Sequence, residues 1–213
     1  MSNFGFLRLR VVNPYRVPFR EARSAVGASV LLTAAEEYKS VAEAMADCAL
    51  VVGTTAIRHR QLRQPLRRLQ DGARLIHKQL ASGRVALVFG SEKRGLSNDD
   101  LSHCHWLMRI PTREAHSSMN LGQAVAVCLY ELMREAEGAR PAQEPRRATG
   151  GALERITAML FDALSISGYV RRGTAVSTQE KVRRLVRRLD LQAGDAEVLL
   201  GMVRQILWKL RNG

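Results

Sequence analysis

The sequence contains few aromatic residues, few cysteines and no long hydrophobic run. Aromatic residues make up 5% of the 213 positions, and Cys48, Cys104 and Cys128 show no spacing typical of metal ligands. Because the number of cysteines is odd and no signal peptide is recognisable, the pattern favours a protein of the reducing cytoplasm. The apolar runs are much shorter than the roughly 20 residues that a transmembrane helix needs. We therefore expect no membrane partner.

Acidic residues are also scarce relative to basic ones. Lys and Arg number 33 against 20 Asp and Glu, which gives a net charge of +13 and a pI near 10.7. An excess of positive charge of this size favours a polyanionic partner such as a nucleic acid. The apolar fraction of 46% is ordinary for a globular core, and the length allows one large and one small domain.

The most informative stretch is residues 85–132, in which two strands are each followed by a polar loop. Residues 85–89 (VALVF) are typical of a buried parallel strand, which ends at Gly90. Residues 106–110 (WLMRI) form a second such run before a proline, and a helix is predicted from near Asn120. We therefore expect both loops to lie at the same sheet edge, where open α/β sheets bind their ligands.

Strand and helix patterns alternate in the first half of the chain, which favours a parallel α/β layer. A buried strand is predicted at residues 49–52 and ends in the loop 53–56 (GTTA). Gly53 and Gly90 either let the backbone approach a ligand or are ordinary glycines at strand ends, since both lack a Cβ. The other predicted elements are strands at 7–12 and 30–32, and helices at 20–28, at 41–48 and from near residue 65 to residue 80.

Residues 137–151 contain proline and glycine without hydrophobic periodicity, so we predict a linker between an α/β domain (1–136) and a small all-α module (152–213). The module shows three helical patterns. The second is predicted to begin with a capping box at residues 177–180 (STQE) and to place its basic residues on a face opposite its apolar ones. The third, from about residue 196 to residue 210, carries its apolar stripe at Leu199, Met202, Ile206 and Leu210.

Several polar residues also have a purely structural interpretation. Ser118 and Asn120 lie at a predicted helix start, where either could serve as the N-cap. Glu92 stands beside two basic residues and could be a solvated loop charge. His103 and His105 have no cysteine or carboxylate at ligand spacing, so no metal site is predicted. Walker, Rossmann and nucleophile-elbow motifs are absent from the sequence.

Three segments resemble the motifs of the SpoU class of SPOUT RNA methyltransferases. Residues 89–97 (FGSEKRGLS) resemble the second motif, and Ile110-Pro111 with residues 117–125 (SSMNLGQAV) resemble the third. Residues 50–56 (LVVGTTA) are similar to the strand that leads to the cofactor pocket. The basic C-terminal helices are similar to the extension of the branch that methylates the 2′-hydroxyl in the tRNA anticodon loop. The resemblance implies a parallel-sheet SPOUT fold with a C-terminal trefoil knot, S-adenosylmethionine as cofactor, and a homodimer.

By position, the resemblance also implies roles for individual residues. Ser118, Asn120 and Glu92 form the implied catalytic group, with Glu92 ordering its loop. The implied reaction moves a methyl group from a sulfonium to a ribose hydroxyl, so the protein must align the hydroxyl and stabilise its developing charge. The implied cofactor-binding residues are Thr54, Thr55, Ala56, Gly90, Ile110, Ser117, Ser118 and Met119.

RNA binding is predicted on two basic clusters, within residues 58–68 and 181–188. The alternative is that both are solvated faces that only keep the protein in solution. The net charge of +13 favours RNA. The arginines concerned are Arg58, Arg60, Arg63, Arg183, Arg184, Arg187 and Arg188.

The first motif of the family, with an arginine assigned to the 2′-hydroxyl, has no counterpart in the sequence, and Arg16, Arg20 and Arg23 match no catalytic position. Either Met1 is an internal start in a longer reading frame, which we favour, or the chain is a form without that arginine. The chain as given is expected to bind the cofactor but to transfer methyl groups slowly. The leading function is 2′-O-ribose methylation of tRNA, with rRNA less favoured. The alternatives are a catalytically impaired RNA-binding relative and a base-methylating SPOUT enzyme.

Overall fold

The computed structural model describes residues 1–13, 29–56, 63–113, 117–136, 146–171 and 173–212. Within them, four parallel strands form one sheet in the order β4-β6-β3-β5, and β1 and β2 form a separate parallel pair. Strands β1 to β6 span Arg10–Val12, Glu36–Tyr38, Leu50–Thr54, Leu66–Arg68, Val85–Val88 and Trp106–Arg109. Helices α1 to α8 span Ser29–Thr33, Val41–Ala44, Leu69–Leu80, Asn98–Ser102, Leu121–Ala136, Gly150–Ile166, Ala175–Arg188 and Ala193–Asn212.

The four-stranded sheet is covered on both faces, as its continuous apolar strands require. Val51 and Val52 in β3 are both fully buried and point to opposite faces, because side chains alternate along a strand. One face packs against α3 and α5, through residues such as Ile76 and Cys128. The other packs against α2 and α4, where Leu101 is buried. The strands predicted from the apolar runs at 49–52, 85–89 and 106–110 are therefore confirmed.

Two other predicted elements differ from the structure. Residues 30–32 lie in α1, so the strand predicted there is wrong. Residues 66–68 form β4, which pairs with β6, and the helix predicted from near residue 65 begins only at Leu69. In both cases tertiary contacts decide whether the segment forms a helix or a strand. The hydrophobic periodicity of so short a segment does not distinguish the two.

Helices α6, α7 and α8 form the predicted three-helix module around a core that includes Leu153 and Val186. The module contacts the α/β layer where α6 begins. The N–H of Gly150 donates to the carbonyl of Cys48 (2.7 Å), and a Cβ at this position would overlap the carbonyl oxygen of Met45. Glycine at this position therefore allows α6 to start directly against the end of α2. The linker was predicted to end at residue 151, but Gly150 and Gly151 belong to α6, and residues 137–145 lie outside the described part of the chain.

The basic residues of α7 do not form the solvated face that the periodicity predicts. Arg183, Arg184 and Arg187 are buried, whereas Leu185 and Leu189 are each 50% exposed. The reason is that carboxylates of the neighbouring helices, and Glu180 of α7 itself, accept hydrogen bonds from these arginines or lie beside them. The guanidinium of Arg183 donates to Glu154 in α6 (3.0 Å) and to Asp99 (3.1 Å) and Ser102 (3.0 Å) in α4, and Arg184 donates to Glu180 (3.2 Å).

The ends and faces of two module helices also differ from prediction. Helix α7 begins at Ala175, and the hydroxyl of Ser177 donates to the carbonyl of Thr174, so the predicted capping box does not form its start. In α8, the buried apolar residues include Val203 and Leu207, whereas Met202, Ile206 and Leu210 of the predicted stripe are exposed. Each described helix is too short or too polar to cross a lipid bilayer.

Candidate functional site

The carboxyl ends of β3, β5 and β6 meet at one edge of the sheet and enclose a cleft of about 300 Å³. We call it the strand-end cleft. It contains all eight predicted cofactor-binding residues, and Glu92 lines it as well. The three loops predicted to converge therefore do so. The predicted lining residues are Thr54, Thr55, Ala56, Gly90, Ile110, Ser117, Ser118 and Met119.

The strand ends are tied to one another by hydrogen bonds. The hydroxyl of Thr54 donates to the carbonyl of Val88 (3.0 Å), and the N–H of Thr55 donates to the carbonyl of Met108 (3.0 Å). These bonds join the end of β3 to its neighbours β5 and β6. The first loop is therefore held in place by the sheet itself rather than by a ligand.

The second loop, residues 90–96, closes on itself. The N–H of Gly95 donates to the carbonyl of Ser91 (2.8 Å), and Gly95 has a φ of 67°, in the left-handed region. A Cβ on Gly90 would overlap the backbone of Gly95 and Leu96. This glycine is therefore required by the close approach of the loop to its own strand. Gly53 likewise faces core side chains, because its Cβ would overlap Cys104 and Leu107.

The third loop follows β6 and leads to α5. It is joined to the second loop through Glu92 and Asn120. The Nδ2 of Asn120 donates to Oε1 of Glu92 (3.2 Å), and its Oδ1 accepts from the N–H of Gln123 (3.3 Å). Asn120 thus caps the start of α5 and also positions the loop that carries Glu92. Ser118 is exposed at the wall of the cleft, where its hydroxyl can reach a ligand.

Several lining residues were not predicted. Leu96, Leu101 and Met108 are buried and supply an apolar wall, and no spacing in the sequence connects Leu101 to the strand-end loops. Lys93 and Arg94 are the cations that line the cleft within the described ranges. Their place in the same loop as Glu92 was the available signal for them.

Comparison with known proteins places this geometry in a family. The model of the SpoU rRNA Methylase family matches residues 1–130. The chain belongs to this family. The residues that match include every loop of the strand-end cleft, so the family assignment and the cleft concern the same part of the molecule.

Relatives of this SpoU family member extend the similarity to the helical module. A protein named tRNA (cytidine/uridine-2′-O-)-methyltransferase TrmJ from Yersinia pestis is 34% identical over 214 residues, covering 97% of this chain and 83% of that protein. The protein of the same name from Klebsiella pneumoniae is 36% identical over 217 residues, covering 97% of this chain and 87% of that protein.

Solved structures show the same fold. The crystal structure of TrmJ from Z. mobilis ZM4 matches with a TM-score of 0.85 and 31% identity, covering 97% of this chain and 89% of that chain. A probable methylase family protein from Haemophilus influenzae matches with a TM-score of 0.58 and 26% identity, covering 99% of this chain and 88% of that chain. The expected parallel-sheet α/β fold of the family, with added helices, is therefore confirmed. The trefoil knot stays a prediction.

His103 and His105 are buried and do not line the strand-end cleft. The Nδ1 of His105 accepts from the N–H of Val51 (3.1 Å), and burial, with the nearby Arg187 and Arg147, lowers the pKa of His105 to about 3. Burial and the charge of Arg183 lower the pKa of His103 to about 4. Among the described residues, no group of three or more His, Cys, Asp or Glu is placed to hold a metal ion.

The predicted RNA-binding arginines fall into three groups. Arg58 and Arg60 lie outside the described residues, so the structure says nothing of them. Arg63 and Arg188 are exposed. The remaining three, Arg183, Arg184 and Arg187, are buried between helices, so within this chain they are not part of an open surface.

Proposed function

We propose that this chain methylates the 2′-hydroxyl of a ribose in tRNA, with S-adenosylmethionine held in the strand-end cleft. The observation that carries the proposal is the convergence of the three SpoU-like loops on that cleft. The names of the relatives supply the substrate class, a cytidine or uridine in tRNA. The resemblance to the branch that acts on the anticodon loop makes that loop the proposed target.

The strand-end cleft fits this cofactor in size and chemistry. Its volume of about 300 Å³ is at the lower end of the range of small-molecule sites. Buried Leu96 and Leu101 offer apolar contact for a purine ring, and the hydroxyls of Thr54, Ser117 and Ser118 offer polar contacts around it. When bound, the cofactor supplies an electrophilic methyl group on a sulfonium.

The protein's part in the reaction is to orient the ribose hydroxyl and to stabilise the charge that develops on its oxygen. We assign the orientation to Ser118 and Asn120, which follow each other closely at the start of α5. Glu92 fixes Asn120 through their hydrogen bond. Lys93 and Arg94 line the same cleft and are placed to lower the cost of negative charge in it.

Three further features belong to the proposal. We expect the backbone that follows β6 to form the family's trefoil knot, and two copies of the chain to form a homodimer through α5. The exposed apolar residues Val127, Tyr130 and Met133 of this helix support the second point. The expected place of action is the cytoplasm, where tRNA is modified.

The direct test is single-turnover methylation of an unmodified tRNA transcript by excess protein, so that even slow transfer is measured. Nucleoside analysis is expected to show 2′-O-methylcytidine or 2′-O-methyluridine. Ser118→Ala should slow transfer about tenfold or more through lost alignment. Ser177→Ala is the matched control, because Ser177 is also an exposed serine but lies on α7. This variant should not slow transfer. A methyl group on the base, or no transfer despite cofactor binding, would reject the proposal.

A further inference from the structure

A second cleft, of about 360 Å³, lies at the opposite edge of the sheet from the strand-end cleft. Leu50, the first residue of β3, and Trp106, the first residue of β6, line it at the amino ends of the strands. Helix α3 forms one side and the end of α7 the other. We call it the junction cleft, because it lies between the α/β layer and the helical module.

The junction cleft is strongly basic. It is lined by five cations, namely Arg67, Lys78, Arg147, Arg187 and Arg188, and by one acid, Asp190. Asp190 is already paired with Arg147. Arg67, Lys78 and Arg188 are exposed and form the rim, with the guanidinium of Arg67 resting 5.7 Å from the centre of the Trp106 ring. The rim therefore presents positive charge that no acid lining the cleft neutralises.

Arg187 is the buried member of this set, with 3% of its surface exposed. Its Nη2 lies 3.4 Å from the carbonyl oxygen of Gly150 and 3.6 Å from Oε2 of Glu154. Its Nε and Nη1 have no hydrogen-bond partner among the described residues. Burial lowers the pKa of Arg187 to about 10, so the guanidinium remains charged at neutral pH.

A buried guanidinium with two unused donors is costly unless an anion or an ordered polar group compensates it. Glu154 cannot do this fully, because the same carboxylate also accepts from Arg183 (3.0 Å). A phosphate has the charge and the several acceptor oxygens that such a cluster of cations recognises. The open rim also leaves room for the chain of a phosphodiester to enter and leave.

We propose that the junction cleft binds a backbone phosphate of the RNA substrate, away from the cofactor edge. The inference deepens the proposed function and rests on its RNA substrate. One contact between the α/β layer and the helical module would position the RNA relative to both. The net charge of +13 makes RNA a more suitable source of the phosphate than a small free anion.

The fluorescence of Trp106 gives a direct readout. The chain has two tryptophans, and Trp208 is 57% exposed on α8, so Trp208→Phe leaves Trp106 in the junction cleft as the single reporter. Inorganic phosphate is expected to change this fluorescence saturably. In the same background, the rim variant Lys78→Gln with Arg188→Gln should weaken phosphate binding about tenfold, since it removes two of the rim charges.

The second arm measures tRNA affinity against salt concentration. The rim variant should make the slope of log K against log salt shallower by about 1, because the contact with one phosphate is lost. The matched control, Arg204→Gln with Lys209→Gln, removes one arginine and one lysine that are exposed on α8 and should leave phosphate binding unchanged. Cofactor affinity, measured by calorimetry, should stay the same in all variants because the strand-end cleft is at the other edge.

The outcomes separate the two proposals. No saturable phosphate response together with an unchanged salt slope overturns the junction-cleft assignment and leaves the proposed function standing. If phosphate changes the fluorescence but the rim variant binds tRNA as tightly as the unmodified chain, the bound phosphate does not come from RNA. The ligand of the junction cleft is then a free phosphate compound. Absence of tRNA binding by the unmodified chain overturns the proposed function, and with it the RNA source.

Discussion

Asn120 caps a helix and is also one of the residues that we propose to orient the ribose hydroxyl. Its side-chain carbonyl oxygen caps α5 by accepting from the N–H of Gln123, while its amide group donates to Glu92, which lines the strand-end cleft. The structural and functional interpretations of the sequence are therefore compatible at this position. The cap fixes the third loop to a helix, and the carboxylate fixes the second loop to the third.

Glu92→Ala should raise the dissociation constant for S-adenosylmethionine about fivefold, because a hydrogen bond to a charged group that orders the second loop is lost. Glu92→Gln keeps an oxygen that can accept from Asn120 and should bind within about twofold of the original chain. Calorimetric titration and single-turnover rates measure both effects. If Glu92 acts only by positioning Asn120, the Gln variant also keeps its rate. A large loss of rate in that variant would instead show direct contact with substrate.

The two buried histidines make stability depend on pH. Their pKa values, about 4 for His103 and about 3 for His105, are below the usual value of 6.5 in an unfolded chain. As the pH falls below 6.5, the unfolded chain takes up protons that the folded chain does not. The stabilising contribution is therefore complete above about pH 6.5 and is lost as the pH falls to about 4 for His103 and about 3 for His105.

Urea unfolding at about pH 7 and pH 5.5 should show a free energy of unfolding lower by about 2 kcal/mol at the acid condition, or about 1 kcal/mol for each histidine. His103→Asn should remove about half of the decline. His103 suits this test because its Nδ1 has no hydrogen-bond partner in the described part of the chain. Equal free energies at both pH values would show that the histidines are not held neutral by burial.

At the scale of elements, α7 is an amphipathic helix whose buried side carries charge. Arg183 bridges α4 and α6, and Arg187 lies beside Glu154 and the junction cleft. Such a buried network joins two parts of a protein with specific geometry, because its donors and acceptors must match in position. The leucines that a simple amphipathic pattern would bury are half exposed instead.

Arg183→Met should lower the free energy of unfolding by about 2 kcal/mol, because it leaves Glu154 partly buried with one fewer partner. Lys181→Met on the exposed side of the same helix is the control and should change stability by less than about 0.5 kcal/mol. Hydrogen exchange should also show faster opening of α6 relative to α3 in the Arg183 variant. Equal effects of the two substitutions would mean that the network does not hold the module in place.

At the scale of the whole molecule, α5 is buried on one side only. Leu129 and Leu132 on its buried side belong to the core of the chain. Tyr130 and Met133 are exposed beside them, and the ring of Tyr130 meets that of Phe4 edge-on at 6.4 Å. A second copy of the chain is the proposed cover of this side.

Met133→Glu should convert the proposed dimer to a monomer in light scattering at micromolar concentration, since an apolar contact would then have to bury a charge. Met202→Glu is the matched control, because Met202 is 60% exposed on α8, against 45% for Met133. It should leave the mass unchanged. A monomer mass for the unmodified chain, or equal effects of the two variants, would count against α5 as the interface.

The sequence predicted the parts of the site that depend on local pattern. The apolar runs that become β3, β5 and β6 end in loops rich in glycine, serine and threonine, and parallel strands place such ends together. Leu101 could not be predicted as a lining residue, because it reaches the strand-end cleft from α4 through the packing of two layers. Lys93 and Arg94 were visible only as neighbours of Glu92.

What the sequence determined by itself is strands β3, β5 and β6, the three strand-end loops and the family, because each depends on residues close together in the chain. The tertiary structure decided which side of α7 is buried, since the carboxylates beside Arg183 and Arg187 come from α4 and α6. It also decided that 66–68 is a strand, through its pairing with β6. The junction cleft exists only because distant segments meet, and no local pattern records the energy of such contacts.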